Sequence, residues 1–117
     1  MGLSSDAVPR ISKEELKALM DSGADIVIVD NNIPELYNAG HIKGAISLPW
    51  SENVIEDENF GIPTGKPVIT YCDCGEGEGD SADVARQLLD FGFEDVKTLA
   101  LGWSEWLKTG YPIEKNI

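Results

Sequence analysis

The run Pro67-Val-Ile-Thr-Tyr-Cys72 constrains the chain more than any other stretch. Its β-branched and aromatic side chains suit a pleated sheet, and Pro suits the start of a strand. The run lacks the polar alternation of a strand with one wet face, so it reads as covered on both sides, as strands of a parallel sheet are. It ends on a thiol and passes at once into DCGEGEGD, Asp73 to Asp80, which is too rich in glycine to continue a strand. Beyond it Ala82, Ala85, Leu88 and Leu89 recur at helical spacing, with Asp80 placed to cap the helix, Asp83 at its third position and Gly92 to end it.

The same alternation of strand and helix fills the rest of the chain. Ser12 and Glu15 form a capping-box pattern ahead of Leu16, Leu19 and Met20, predicting a helix from Lys13 to about Asp21 closed by Gly23. Ile26 to Asp30 reads as a buried strand, Glu35 to Ala39 as a short helix ended by Gly40, and Ala45 to Leu48 as a second strand stopped by Pro49. Ser51 to Lys66 is acidic and turn-rich, with room for one or two helical turns. A last strand near Val96 to Leu99 and a helix near Trp103 to Lys108 complete the order. The expected fold is α/β: one domain with a mostly parallel central sheet of about five strands and helices on both faces. Residues 1–10 form a tail or short edge strand, and 11–117 the domain. Asp30, Pro49 and Cys72, at strand ends, should converge on one mouth.

Composition narrows the chemistry. Twenty-one acidic against nine basic residues give a formal charge of −12, which repels nucleic acid and anionic lipid. No run approaches the roughly 18 apolar residues of a membrane span, and MGLSSDAVPR lacks the order of a signal peptide, so a cytoplasmic address is expected. Met1-Gly2 followed by Asp6 fails the myristoylation pattern. The only two cysteines, Cys72 and Cys74, cannot make a disulfide framework or a four-ligand zinc site, so their use is local. A glycine-rich loop between strand and helix can surround a sulfur or an oxyanion with N–H groups, although a cysteine at a strand end also serves as a plain small hydrophobe.

The segment YNAGHIKGAISLP, Tyr37 to Pro49, resembles the first signature of the rhodanese family, an aromatic followed by His, an apolar residue and Gly-Ala. Further blocks agree in order: Val68 to Cys72, Ala82-x-x-Ala85-x-x-Leu88 then Gly92-Phe93, and Gly102-x-x-x-Trp106 followed by GYPIEK. The resemblance implies a single-domain sulfurtransferase in which Cys72 accepts sulfane sulfur as a persulfide and passes it to a small-molecule or protein thiol. It implies neither metal nor organic cofactor, and it gives His41 a structural place in the signature.

The chain also departs from that pattern. The family loop commonly is shorter and carries Arg near both ends. Here Ser81 lies nine residues after Cys72, and the loop, Asp73, Cys74, Gly75, Glu76, Gly77, Glu78, Gly79 and Asp80, holds four acids and no base. A carboxylate about 7 Å from a thiolate opposes its charge by roughly 0.6 to 2.4 kcal/mol, so thiosulfate, a dianion, is expected to be a poor donor. Asn32 stands where the family often has Arg, and Leu101 where a glycine usually precedes the tryptophan block. Tyr-Cys-x-Cys resembles a rhodanese subgroup with paired cysteines. Cys74 is therefore either a resolving thiol or incidental. The span from Cys74 to Asp80 matches the family's phosphatase-like branch, but without its Arg a phosphate has no partner. The loop lacks the ligand order of a calcium site. Asp30, Asn32, Trp50 and Trp103 are candidates for the pocket, with plain packing the alternative for Trp50 and Trp103, and Trp106 is a candidate for the core. Two other functions stay open: a non-catalytic module docking a basic protein through its acidic loop, and a Cys72/Cys74 redox relay.

Overall fold

A computed structural model describes residues 4–56 and 60–116, so the expectations touching residues 1–3, 57–59 and 117 lie outside the described residues. Strands β1 (Arg10–Ile11), β2 (Val27–Asp30), β4 (Ile46–Ser47), β5 (Val68–Tyr71) and β6 (Val96–Leu99) form one parallel sheet in the order β1-β6-β5-β2-β4. The helices are α1 (Lys13–Asp21), α2 (Pro34–Ala39), α3 (Gly79–Phe91) and α4 (Gly102–Leu107). Val54–Glu56 makes a single 3-10 turn. A separate antiparallel ribbon pairs β3 (His41–Ile42) with β7 (Ile113–Glu114).

Side chains alternate across the sheet, as the period of two requires. Val29, Val68 and Val96 join Val84, Ala85 and Leu88 of α3 on one face, while Ile28, Ile69 and Leu99 join Leu16 of α1 and Trp106 of α4 on the other. The capping box on α1 is present in full, with Ser12 and Glu15 satisfying each other's backbone N–H groups. Strand β5 is buried along its whole length, between β2 and β6, so its carboxyl end opens at the middle of the sheet.

Polar groups beneath that end lock the strands together. The Tyr71 hydroxyl donates to Asp30 at 2.6 Å and accepts the Ile42 N–H at 3.0 Å, joining β5, β2 and the ribbon. Asp30 is fully buried, and burial holds its carboxyl above the ordinary 3.8, although the bonds from Tyr71 and the Asn32 N–H and the nearby His41 draw it partly back. Burial and the Asp30 charge push the Tyr71 hydroxyl well above its usual range. The folded state thus keeps a proton that the unfolded chain releases, and Asp30's contribution to stability falls as pH rises from 3.8 through the raised value, then levels off. Urea midpoints of wild type and Asp30→Asn between about pH 4 and pH 8 should show the wild type losing ground against the variant as pH rises.

Candidate functional site

Three strand ends build the site, as expected for a parallel sheet. Asn31 and Asn32 follow β2, Pro49 and Trp50 follow β4, and Asp73 and Cys74 follow β5; together with Asp80 they line a cleft of about 290 Å³. A larger hollow of about 540 Å³ lies between Thr64–Pro67 and Gly92–Asp95, at the opposite ends of β5 and β6, and holds neither cysteine.

Cys72 is buried, 1% exposed, and is followed by Asp73 and Cys74, which line the cleft. Its carbonyl accepts the Trp103 N–H at 2.9 Å. That approach requires Gly102, which adopts φ +65° and whose hypothetical Cβ would collide with the Cys72 carbonyl oxygen. Asp73 is held twice, its N–H donating to Asn32 Oδ1 at 2.8 Å and its carboxylate accepting the Ser104 hydroxyl. Cys74 then reaches back, and its sulfur is paired with that of Cys72 as a disulfide, Cα atoms 5.5 Å apart. Cys74 is the exposed partner.

The loop turns through Gly75 at φ +74° and Gly77 at φ +95°, a left-handed path that glycine takes without penalty. Glu78 follows at φ +49°, where a side chain is disfavoured. Its carboxylate compensates by accepting Arg10 Nε at 2.9 Å and the Leu101 N–H at 2.9 Å. Leu101 is itself left-handed, φ +65°, so the two unfavourable backbones brace each other. Arg10 also donates to the Gly77 carbonyl at 3.2 Å. Replacing Arg10 by Ala leaves the buried Glu78 carboxylate with one N–H donor and should cost about 1–3 kcal/mol in urea unfolding. Glu78→Gln, which can still accept from Leu101, should cost less.

This geometry corrects one sequence expectation. Asp80 is not the cap of α3: the cap residue is Glu78, two residues earlier, the helix begins at Gly79, and no side chain caps it. Asp83 therefore sits deeper than the third position. Burial would raise its carboxyl, but hydrogen bonds from Arg86, the Trp50 indole and Gln87 hold it below the ordinary carboxylate range. The direction of the four loop acids, open at the level of sequence, is set by tertiary contacts: Glu78 is buried and pairs with Arg10, the Asp73 carboxylate accepts the Ser104 hydroxyl, and Glu76 and Asp80 are exposed. The base missing from the loop comes from β1.

Ser81, fully buried in the first turn of α3, places Oγ 3.5 Å from Cys72 Sγ, 3.3 Å from the Glu78 carbonyl and 2.6 Å from Thr98 Oγ1. Thr70 donates to the Ser81 carbonyl at 2.8 Å, and Thr98 to the Thr70 carbonyl at 3.2 Å. Ser81 has one proton and three acceptors in reach, so its hydroxyl can turn to a charged sulfur.

Of the proposed pocket residues, Asn32 and Trp50 line the cleft. Asp30 is beneath it, engaged with Tyr71, and Trp103 packs in the core against Tyr71, ring centroids 6.2 Å apart. Gly40 leaves room for that indole, since a Cβ there would sit 3.2 Å from it. His41 is 3% exposed, stacks on Tyr37 and bonds to the Tyr37 carbonyl at 2.7 Å, a structural role. Arg10, Asn31, Thr98 and Ser104 were not legible as site residues. Only the lack of any base in the loop hinted that one must arrive from elsewhere. Among the described residues no three His, Cys, Asp or Glu are grouped to hold a metal ion, and no helix is long and apolar enough to cross a membrane.

A parallel sheet with a cysteine closing its central strand and a glycine-rich turn into the next helix is the frame of the rhodanese-like domain, whose family model matches residues 12–109; the chain belongs to that family. It is 37% identical over 110 residues to a protein of Saccharopolyspora erythraea named "Putative thiosulfate sulfurtransferase", a match covering 80% of this chain and 38% of that one. It is 34% identical over 92 residues to the sulfur carrier protein TtuD of Thermus thermophilus, covering 67% of this chain and 32% of the relative. The chain thus spans less than two fifths of these relatives' length. The rhodanese-like domain of the Anabaena protein Alr3790 superposes with a TM-score of 0.77 at 26% identity, over 92% of this chain and 79% of the other.

Proposed function

We propose that this sulfurtransferase-family domain carries sulfane sulfur as a persulfide on Cys72. The observation that carries the reading is the sulfur itself: it closes the central strand, with the Ser81 hydroxyl 3.5 Å away at the first turn of α3. From the reduced pair, the Cys72 thiolate attacks the terminal sulfur of a donor ⁻S–X. The S–X bond breaks, X leaves with the electron pair, and the terminal sulfur stays on Cys72 as the outer sulfur of a persulfide. A thiolate then attacks that outer sulfur and restores Cys72.

The cleft also bears on the donor. No Lys, Arg or His lines it, while Asp73 and Asp80 do, so a dianion such as thiosulfate meets repulsion and no counter-charge. A neutral or singly charged donor suits it better, and a soluble thiol, free or on a protein, is the proposed acceptor.

The test is intact-mass spectrometry of the pre-reduced Cys74→Ser chain, which keeps only one thiol, after exposure to benzenethiosulfonate. The thiolate takes its terminal sulfur and benzenesulfinate leaves. The chain should gain the mass of one sulfur atom, removable by dithiothreitol. No gain would sink the reading.

A further inference from the structure

The oxidised pair at the strand end is more than a resting state. Contacts hold the two residues that lead into Cys74: Trp103 binds the Cys72 carbonyl, Asn32 accepts the Asp73 N–H, and Ser104 donates to the Asp73 carboxylate. With Cα atoms 5.5 Å apart, Cys74 is within the usual bridging range of Cys72 without any rearrangement of the fold. The two sulfurs are unequal, Cys72 being 1% exposed while Cys74 is exposed and lines the cleft.

We propose that Cys74 is the resolving thiol that turns the carried sulfur into sulfide. This rests on the persulfide reading and names the thiol that acts on it. The Cys74 thiolate attacks Cys72 Sγ of the persulfide, the bond between Sγ and the outer sulfur breaks, and the outer sulfur leaves with the electron pair and takes up protons as hydrogen sulfide. The sulfane sulfur is reduced, the two cysteine sulfurs are oxidised, and the product is the disulfide seen here. A thiol held in the same loop acts at an effective concentration that external thiols do not match. The cycle closes with a dithiol, which attacks the exposed Cys74 sulfur, expels the Cys72 thiolate and leaves as its own disulfide. The expelled thiolate is the one the Ser81 hydroxyl can reach.

Cys74 is thus a catalytic residue for sulfide release and not for sulfur uptake, which separates the two ideas experimentally. Pre-reduced wild type, Cys74→Ser and Cys74→Ala are freed of reductant and given one equivalent of benzenethiosulfonate, a donor that brings no sulfide of its own. Wild type should release about one sulfide per chain and end two hydrogens lighter than the dithiol form, turning over again only when dithiothreitol is supplied. Both variants should hold the extra sulfur and release sulfide at least about 100-fold more slowly. Wild type that keeps the sulfur, or variants that release sulfide as fast as wild type, would overturn the role of Cys74. Variants that never take up sulfur would overturn the persulfide reading instead.

Discussion

Cys72→Ser is expected to keep the native sheet and lose sulfur transfer by roughly 10³-fold or more, to the background rate. The fold should survive because serine is close to cysteine in size, and the backbone at this position is held from outside by the Trp103 N–H on the Cys72 carbonyl. The chemistry should not, since an alkoxide is not formed at neutral pH and oxygen does not carry a transferable sulfur. Transfer from benzenethiosulfonate to an external thiol, with far-ultraviolet circular dichroism as the check on folding, measures both. A folded variant retaining more than about a tenth of wild-type transfer would move the reacting sulfur away from Cys72. A fall of that size in Cys72→Ser, beside intact uptake in Cys74→Ser, assigns carrier and resolver to different atoms.

The largest expected effect on stability is at Gly102. An alanine there drives its Cβ into the Cys72 carbonyl oxygen, occupies a left-handed backbone and breaks the Trp103 to Cys72 hydrogen bond. These act together, and the loss should reach about 3–5 kcal/mol. Gly110→Ala supplies the control, since Gly110 is also left-handed at φ +80° but has open space around it, and strain alone should cost about 1 kcal/mol. Equal costs at the two sites would show that the contact with Cys72 carries no weight. Because the contact is to the backbone of the thiol residue, Gly102→Ala should also shift how fast Cys72 is alkylated in whatever fraction stays folded.

The sheet was legible because its central strands announce themselves. Val27–Asp30 and Val68–Tyr71 are short β-branched runs between turn residues, and the helices around them carry caps and periodic apolar stripes. The ribbon was not, for a physical reason: two residues of β3 pair with two of β7 some seventy positions away, and so short a strand leaves no pattern in its own sequence. The start of α3 shifted because its cap is a left-handed glutamate held by distant groups, where local propensity favoured Asp80. The thiol and its loop could be named from sequence, and so could Asn32 and Trp50 at the cleft. The direction of the loop acids could not, since it is decided by Arg10 and Ser104, contacts that only tertiary structure makes. Trp103 shows a choice that sequence leaves open: between the mouth and plain packing, the slot left by Gly40 decides for the core.

The reach of Arg10 across to Glu78 has a practical side. A fragment trimmed to begin at Ile11 would still contain the signature segments, both cysteines and four of the five sheet strands whole, and would pass as a complete domain by inspection. It would lack Arg10, the cation that binds Glu78 and the Gly77 carbonyl in the loop after the thiols. Activity or sluggishness measured on such a fragment would report on the trimming.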